Sequence, residues 1–292
     1  QRLMPDFINL NLSFLDNLPV SPEAALVIGA LVISLLAGVF ALIANRRALA
    51  ASSEDTATDM GVIFDNPASI LPHVIELRNR LINSFIALII GTVVATMLSD
   101  EILALAAAPL GPDGLANLQA IRVTEPFGVF FRVALTVGAI LAAPYIISQL
   151  WIFIAAGLKP SEQRVFYLTV PFAVILFLTG VTFAYVVMLP VAVPFLTNFM
   201  GMNAHPTIDN YISFITTVLL WVGISFEMPL VIFGLAKLGI VNAGMLARNW
   251  RIAVVVIVIA AAFITPTPDP VNMMIVAAPL MVLYLLSIVL AM

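Results

Sequence analysis

Seven apolar runs, separated by short polar punctuation, constrain this chain more than any single residue does. They run approximately over 24–44, 81–98, 127–154, 165–188, 211–236, 252–264 and 271–292. A hydrocarbon core about 30 Å thick takes roughly 20 helical residues to cross. Backbone groups in lipid must be satisfied internally, and a helix does this within each run. With 62% hydrophobic residues, 10% charged ones and a mean hydropathy of +1.13, the chain is far too apolar for a soluble domain. The expected fold is all-α: a polytopic membrane helical bundle.

The same composition excludes several functions. A net charge of −4 argues against nucleic acid as a partner, because that needs clustered Lys and Arg on one face. Cysteine is absent, so disulfides, thiolate metal sites and cysteine catalysis are out of reach. Imidazole could come only from His73 and His205. One precedes a span and the other falls in a loop, which disfavours a haem held across the bilayer. No HExxH, phosphate loop or nucleophile with a histidine base is present, so neither an enzyme nor a cofactor or metal is expected.

Residues 51–69, rich in Ser, Thr, Asp and Ala, read as a cytoplasmic linker between an N-terminal span with its flanks (1–50) and the main membrane domain (70–292). Orientation follows from the basic residues. Arg46, Arg47, Arg78, Arg80, Lys159, Arg164, Lys237, Arg248 and Arg251 fall on one side of a seven-span chain, leaving Arg2, Arg122 and Arg132 near the other. The richer side is the cytoplasm, with the N-terminus outside and the C-terminus inside. The run at 24–44 reads as an anchor rather than a cleaved signal, because its charges follow the apolar stretch.

Three polar constellations interrupt the apolar background. In HVIELRNR (73–80), Glu76 and Arg80 stand at i and i+4, the spacing of a helix-surface ion pair. They either just end the span or form a polar rim for docking a partner. In the stretch from Phe153 to Arg164, Trp151 and Phe153 suit the interfacial aromatic belt, with Glu162 just outside it. Glu162 belongs either to an ordinary solvated loop or to a receptor for basic peptides, since a carboxylate near a low-dielectric surface attracts a guanidinium more strongly than one in bulk water. Glu227 lies inside a span, where a charge costs roughly 2.5–3.5 kcal/mol on insertion scales. It is a partner contact, or else a protonated acid hydrogen-bonded for packing. Pro229 cannot donate a backbone hydrogen bond, so a kink with a polar pocket is expected there. The run at 252–264 is short, about 20 Å as a helix, which implies local bilayer thinning or shielding by neighbours.

Beyond this physics, HVIELRNR resembles the HLxELRxR opening of TatC, the multispanning core of the twin-arginine protein translocase. The resemblance continues through TEPF (124–127), APYIISQLWIFIAAGLKPSEQR (143–164), GVTFAYVVMLP (180–190), SFEMP (225–229) and TPTPD (265–269). It implies six spans over about 70–292, with short fifth and sixth helices and both ends of that domain cytoplasmic. It also implies a receptor that binds signal peptides carrying consecutive arginines and, with TatA- and TatB-type single-span partners, exports folded proteins by the proton-motive force. Self-association and membrane lipid are further expected contacts, and the location is the cytoplasmic (inner) membrane. The residues it assigns to signal-peptide binding are Glu76, Arg78, Arg80, Phe153 and Glu162, with Glu227 as the intramembrane polar contact. Bidentate recognition of guanidinium by carboxylates agrees with that set.

This sequence departs from the pattern at three places: Ala156 where a proline usually stands, Met273 for a glutamine and Leu285 for a glutamate. The extra N-terminal span is a fourth departure. These motivate two rival expectations, a TatC-like structural subunit of a larger membrane complex and a secondary transporter using Glu227.

Overall fold

The computed structural model describes residues 70–110, 114, 118–156, 160–197, 206–265 and 270–292. The expected span at 24–44 and the linker at 51–69 lie outside the described residues, as does His205. Within them the chain is helical: α1 (Ile70–Met97), α2 (Ser99–Ala107), α3 (Glu125–Ala156), α4 (Pro160–Phe183), α5 (Leu189–Thr197), α6 (Ile208–Ser225), α7 (Met228–Lys237), α8 (Ala243–Arg248), α9 (Trp250–Ile264) and α10 (Pro270–Leu290). A single parallel bridge, Gln119 to Thr207, is the only extended pairing among the described residues.

Among the described residues, five stretches are long and apolar enough to cross a membrane: His73–Met97, Glu125–Ala155, Thr169–Thr197, Ile208–Lys237 and Pro270–Leu290. The 15-residue α9, fifth in chain order, is a shorter apolar helix about 22 Å long. Expectation and structure differ at several boundaries. Helix α1 starts at Ile70, eleven residues before the apolar run at 81, because charged side chains at a bilayer surface do not end a helix. Helix α4 starts at Pro160, whose missing N–H costs nothing at a first helical position. Glu162 is therefore on helical backbone, not in a loop. That span also continues past Met188, through a widened turn at Ala184–Met188 into α5. Pro190 follows the widened turn and would clash with the Val186 carbonyl in a regular helix, which the extra residue relieves. Finally, α10 has 21 residues, about 31 Å, so the sixth helix is full length rather than short.

Helix α1 packs along α3. Their backbones come close at Gly91 and Gly138: a Cβ on Gly91 would stand 2.4 Å from the Gly138 carbonyl oxygen, and one on Gly138 would stand 2.6 Å from Thr92 backbone. Without attraction between apolar helices in lipid, such close backbone packing is what holds them. The largest buried cluster joins Ile212, Ile215 and Val218 of α6 to Ile257 and Ala261 of α9 and to Val276 and Leu280 of α10. A smaller one joins Trp151, Phe166, Val170 and Leu230.

Alternating helix direction gives the bundle two ends. Residues 70–80, 149–156, 160–166, 237–251 and 284–292 lie at one, the His73 end. Residues 97–110, 118–125, 188–197 and 206–209 lie at the other, the Asp209 end. Cross-bundle contacts fix both. The Tyr284 hydroxyl donates to the Leu246 carbonyl at 2.7 Å at the first, while Tyr185 and Tyr211 donate to Leu105 and Ala106 carbonyls at 2.9 Å at the second.

Candidate functional site

The first three turns of α1 carry His73, Glu76 and Arg80 at spacings of three and four, which is one helix face. Helix α3 presents Gln149 and Phe153, also one turn apart, to that face. The rings of His73 and Phe153 stack, 4.5 Å between centroids and inclined by 26°. One turn further in, Arg80 donates from Nε to Glu76 Oε1 at 3.0 Å, and from Nη2 to the same oxygen. Its Nη1 donates to Gln149 Oε1 at 3.3 Å.

The i, i+4 pair expected from the sequence is thus present, and Gln149 ties it to a second helix. Gln149 is 3% exposed, so its amide is held in the interface between α1 and α3. An exposed i, i+4 pair alone contributes about 0.2–0.5 kcal/mol. The bond to a buried amide adds directional order, since Arg80 can no longer swing freely around Glu76.

Both Arg80 contacts fall on Glu76 Oε1. Among the described residues, Oε2 receives no hydrogen bond, and the Glu76 side chain is 33% exposed. A carboxylate oriented by one cation and open on its second oxygen can accept a further guanidinium. Arg78 points away from this pair, exposed, and among the described residues donates only to its neighbour Asn79, at 3.2 Å. Glu162 is in the first turn of α4, one turn before Phe166. Phe166 packs on Trp151, 5.6 Å between centroids, which locks the start of α4 to the end of α3 and puts the Glu162 backbone at the same end of the bundle.

Glu227 is elsewhere. It sits at the break between α6 and α7, ten residues before Lys237 and so about 15 Å along the helix axis from the His73 end. The break is well bonded. The Glu227 N–H donates to the Ile224 carbonyl, and its own carbonyl accepts from Leu230 and Val231, all at 3.0 Å. Phe226 anchors it against Phe183 at 5.7 Å. Both carboxylate oxygens are buried, and neither meets a hydrogen-bond partner among the described residues. The interruption expected at Pro229 is present, and no described residue offers the acid a hydrogen bond.

Sequence reasoning missed Gln149, although a polar residue four before Phe153 inside an apolar run was the available signal. It also missed a second charged cluster at the Asp209 end. There Arg132 donates to Asp209 Oδ1 at 2.5 Å and to the Ser213 hydroxyl. Arg122 lies 3.3 Å from Glu125 Oε1 and 3.9 Å from Asp209 Oδ2. Glu125, 8% exposed, also accepts from the Ile121 N–H at 2.9 Å. At the departures, Met273 packs against the main core and Leu285 is exposed, while a buried amide, Asn272, stands one residue before Met273. No group of three or more His, Asp or Glu side chains that could hold a metal occurs among the described residues.

Comparison with known proteins points one way. The family model described as Sec-independent protein translocase protein (TatC) matches residues 72–279. The Sec-independent protein translocase protein TatC of Carboxydothermus hydrogenoformans is 38% identical over 229 residues, covering 78% of this chain and 94% of the relative. That of Deinococcus radiodurans is 39% identical over 234 residues, covering 77% and 86%. A crystal structure of the twin arginine translocase receptor TatC superposes with a TM-score of 0.65 at 34% identity, over 75% of this chain and 97% of that one. The same receptor in DDM gives a TM-score of 0.68 at 32% identity, over 75% and 99%.

Proposed function

This chain belongs to the TatC family of Sec-independent protein translocase proteins, and on that premise we propose that it is the receptor that reads twin-arginine signal peptides at the His73 end of its bundle. The protein is a multi-pass membrane protein and a translocase component, not a member of a known enzyme family. The observation that carries the reading is the open Oε2 of Glu76, beside an Oε1 already fixed by Arg80 and, through it, by Gln149. A preorganised carboxylate binds a guanidinium without first ordering its own side chain, and a charge-assisted bond of this kind contributes about 1.5–3 kcal/mol. Glu162 supplies the second acid, Phe153 an apolar floor for the residues after the arginines, and Arg80 the orientation of Glu76. Arg78, exposed on the opposite side of α1, repels a peptide that approaches in the wrong register.

In this reading the His73 end faces the cytoplasm of the inner membrane, where the greater number of basic residues lies. The unpaired carboxyl of Glu227 then meets a polar group of an inserted signal or of a TatA- or TatB-type helix, because no described residue of this chain satisfies it. Leu285 and Met273 offer no such group on α10, which leaves Glu227 as the intramembrane contact. The proton-motive force drives export once these partners assemble.

The test is binding of a twin-arginine signal peptide to the full chain in detergent. Glu76→Ala combined with Glu162→Ala is expected to weaken binding at least tenfold, the loss of about 1.4 kcal/mol or more from charge-assisted bonds. Unchanged affinity in the double variant sinks the assignment. For Glu227, replacement by Gln keeps a hydrogen-bonding shape and is expected to retain partner co-purification that Ala abolishes. Equal co-purification of both variants removes the partner role.

A further inference from the structure

Apart from Arg80 with its Glu76 partner, the cations at the two ends of the bundle are treated differently. At the Asp209 end, Arg122 and Arg132 share Asp209, and Arg122 also meets Glu125. At the His73 end, Lys237, Arg248 and Arg251 form no ion pair among the described residues. The sequence leaves them little choice, since no Asp or Glu occurs between Glu227 and Asp269. We propose that the segment from Lys237 to Arg251 is a binding surface for anionic phospholipid headgroups, which supply the missing counter-charges.

The segment is built, not merely exposed. Gly239, at φ +72°, closes α7 by turning the chain so that Ile240 N–H donates back to the Leu235 carbonyl at 3.0 Å. Asn242 caps α8 by accepting from the Met245 N–H at 2.7 Å. The Tyr284 hydroxyl holds α8 to α10 through the Leu246 carbonyl. The cations therefore project from a fixed strap between two spans. Lys237 and Arg248 also lie in the last turns of α7 and α8, where a positive charge suits the helix dipole, but that interaction needs no cluster and no aromatic neighbours.

Height and chemistry both suit a headgroup. Lys237 ends the span from Ile208 and Trp250 begins α9, so the strap lies at the level where spans leave the hydrocarbon. Trp250, 54% exposed, carries the Arg251 guanidinium 5.7 Å from its ring centroid, and Lys237 Nζ lies 5.4 Å from that of Phe233. Exposed Ile240 and Ile252 flank the cations with apolar surface for acyl chains. An amphipathic indole at the interface beside unneutralised cations is the composition that attracts anionic lipid surfaces.

The experiment is lipid retention by the purified full chain after exchange into mixed micelles of equimolar phosphatidylglycerol and phosphatidylcholine, with bound lipid measured by mass spectrometry. Wild type is expected to enrich phosphatidylglycerol about tenfold or more, and each neutralised cation to lower that by up to about fivefold. Lys237→Gln, Arg248→Gln and Arg251→Gln together are expected to bring the ratio to about one. Arg248→Lys with Arg251→Lys keeps the enrichment, since point charge is what the headgroup reads. Should the triple variant fail to fold, Arg251→Gln alone, with unchanged thermal unfolding, is read instead. Enrichment that survives in the Gln variants, or no enrichment in wild type, overturns the proposal. So does a protein partner that co-purifies with delipidated wild type and is lost with the three cations, which would assign the strap to an acidic protein surface.

Discussion

The two ends of this bundle use the same residue types for opposite purposes. At the Asp209 end, arginine and carboxylate meet across α3 and α6 and neutralise one another, and the parallel bridge from Gln119 to Thr207 brings the connecting segment onto the start of α6. At the His73 end, among the described residues, Glu76 keeps one oxygen open and Lys237, Arg248 and Arg251 meet no carboxylate. Neutralised charge holds helices together; charge left open is available to a ligand. On the proposed reading, a chain that grips a basic peptide on one face and is held together by paired charge on the other uses both arrangements.

Three substitutions sharpen or break this contrast. The largest effect is expected from Gly138→Val, because its side chain collides with Thr92 backbone and separates α1 from α3. Overpacking of this kind costs about 1–3 kcal/mol or more, and both thermal stability and signal-peptide binding are expected to fall. Binding at wild-type affinity in this variant would show that the His73 site does not depend on the α1–α3 contact. Next is Asp209→Asn, which leaves Arg132 and Arg122 short of a counter-charge while keeping the shape. Thermal unfolding in detergent is expected to show a loss of about 1–2 kcal/mol with peptide affinity unchanged. A fall in affinity without loss of stability would reverse the roles given to the two ends. The smallest is Gln149→Leu, which frees Arg80 from α3 while keeping the Glu76 pair. Peptide affinity is expected to drop about threefold to tenfold with stability lowered by about 1 kcal/mol or less, and an unchanged affinity would show that Glu76 is oriented by Arg80 alone.

Part of the candidate site was legible because its chemistry is local. The i, i+4 spacing of Glu76 and Arg80 needs only a helix to become an ion pair, and the pair is there. Glu227 stood out because an acid in an apolar run is costly wherever the run packs. Helix starts were less legible. At Ile70 and Pro160, polar first turns and a proline look the same in sequence whether they begin a helix or fill a loop. The continuation of the span through Ala184–Met188 to Thr197 was also hidden, since a widened turn lets a helix pass a proline that otherwise reads as a stop.

By itself the sequence determined the class of fold and the inventory of charge. Apolar runs of bilayer length must form helices in lipid, and a stretch without Asp or Glu from 228 to 268 cannot neutralise its own cations. Only the tertiary structure decided which charges find one another. Gln149 reaches Arg80 because Gly91 and Gly138 let two backbones approach, and Asp209 reaches Arg132 because α3 and α6 run side by side. Those partners are 69 and 77 residues apart along the chain. Ion pairing falls steeply with distance and with exposure, so separation in sequence says nothing about it until packing has set both.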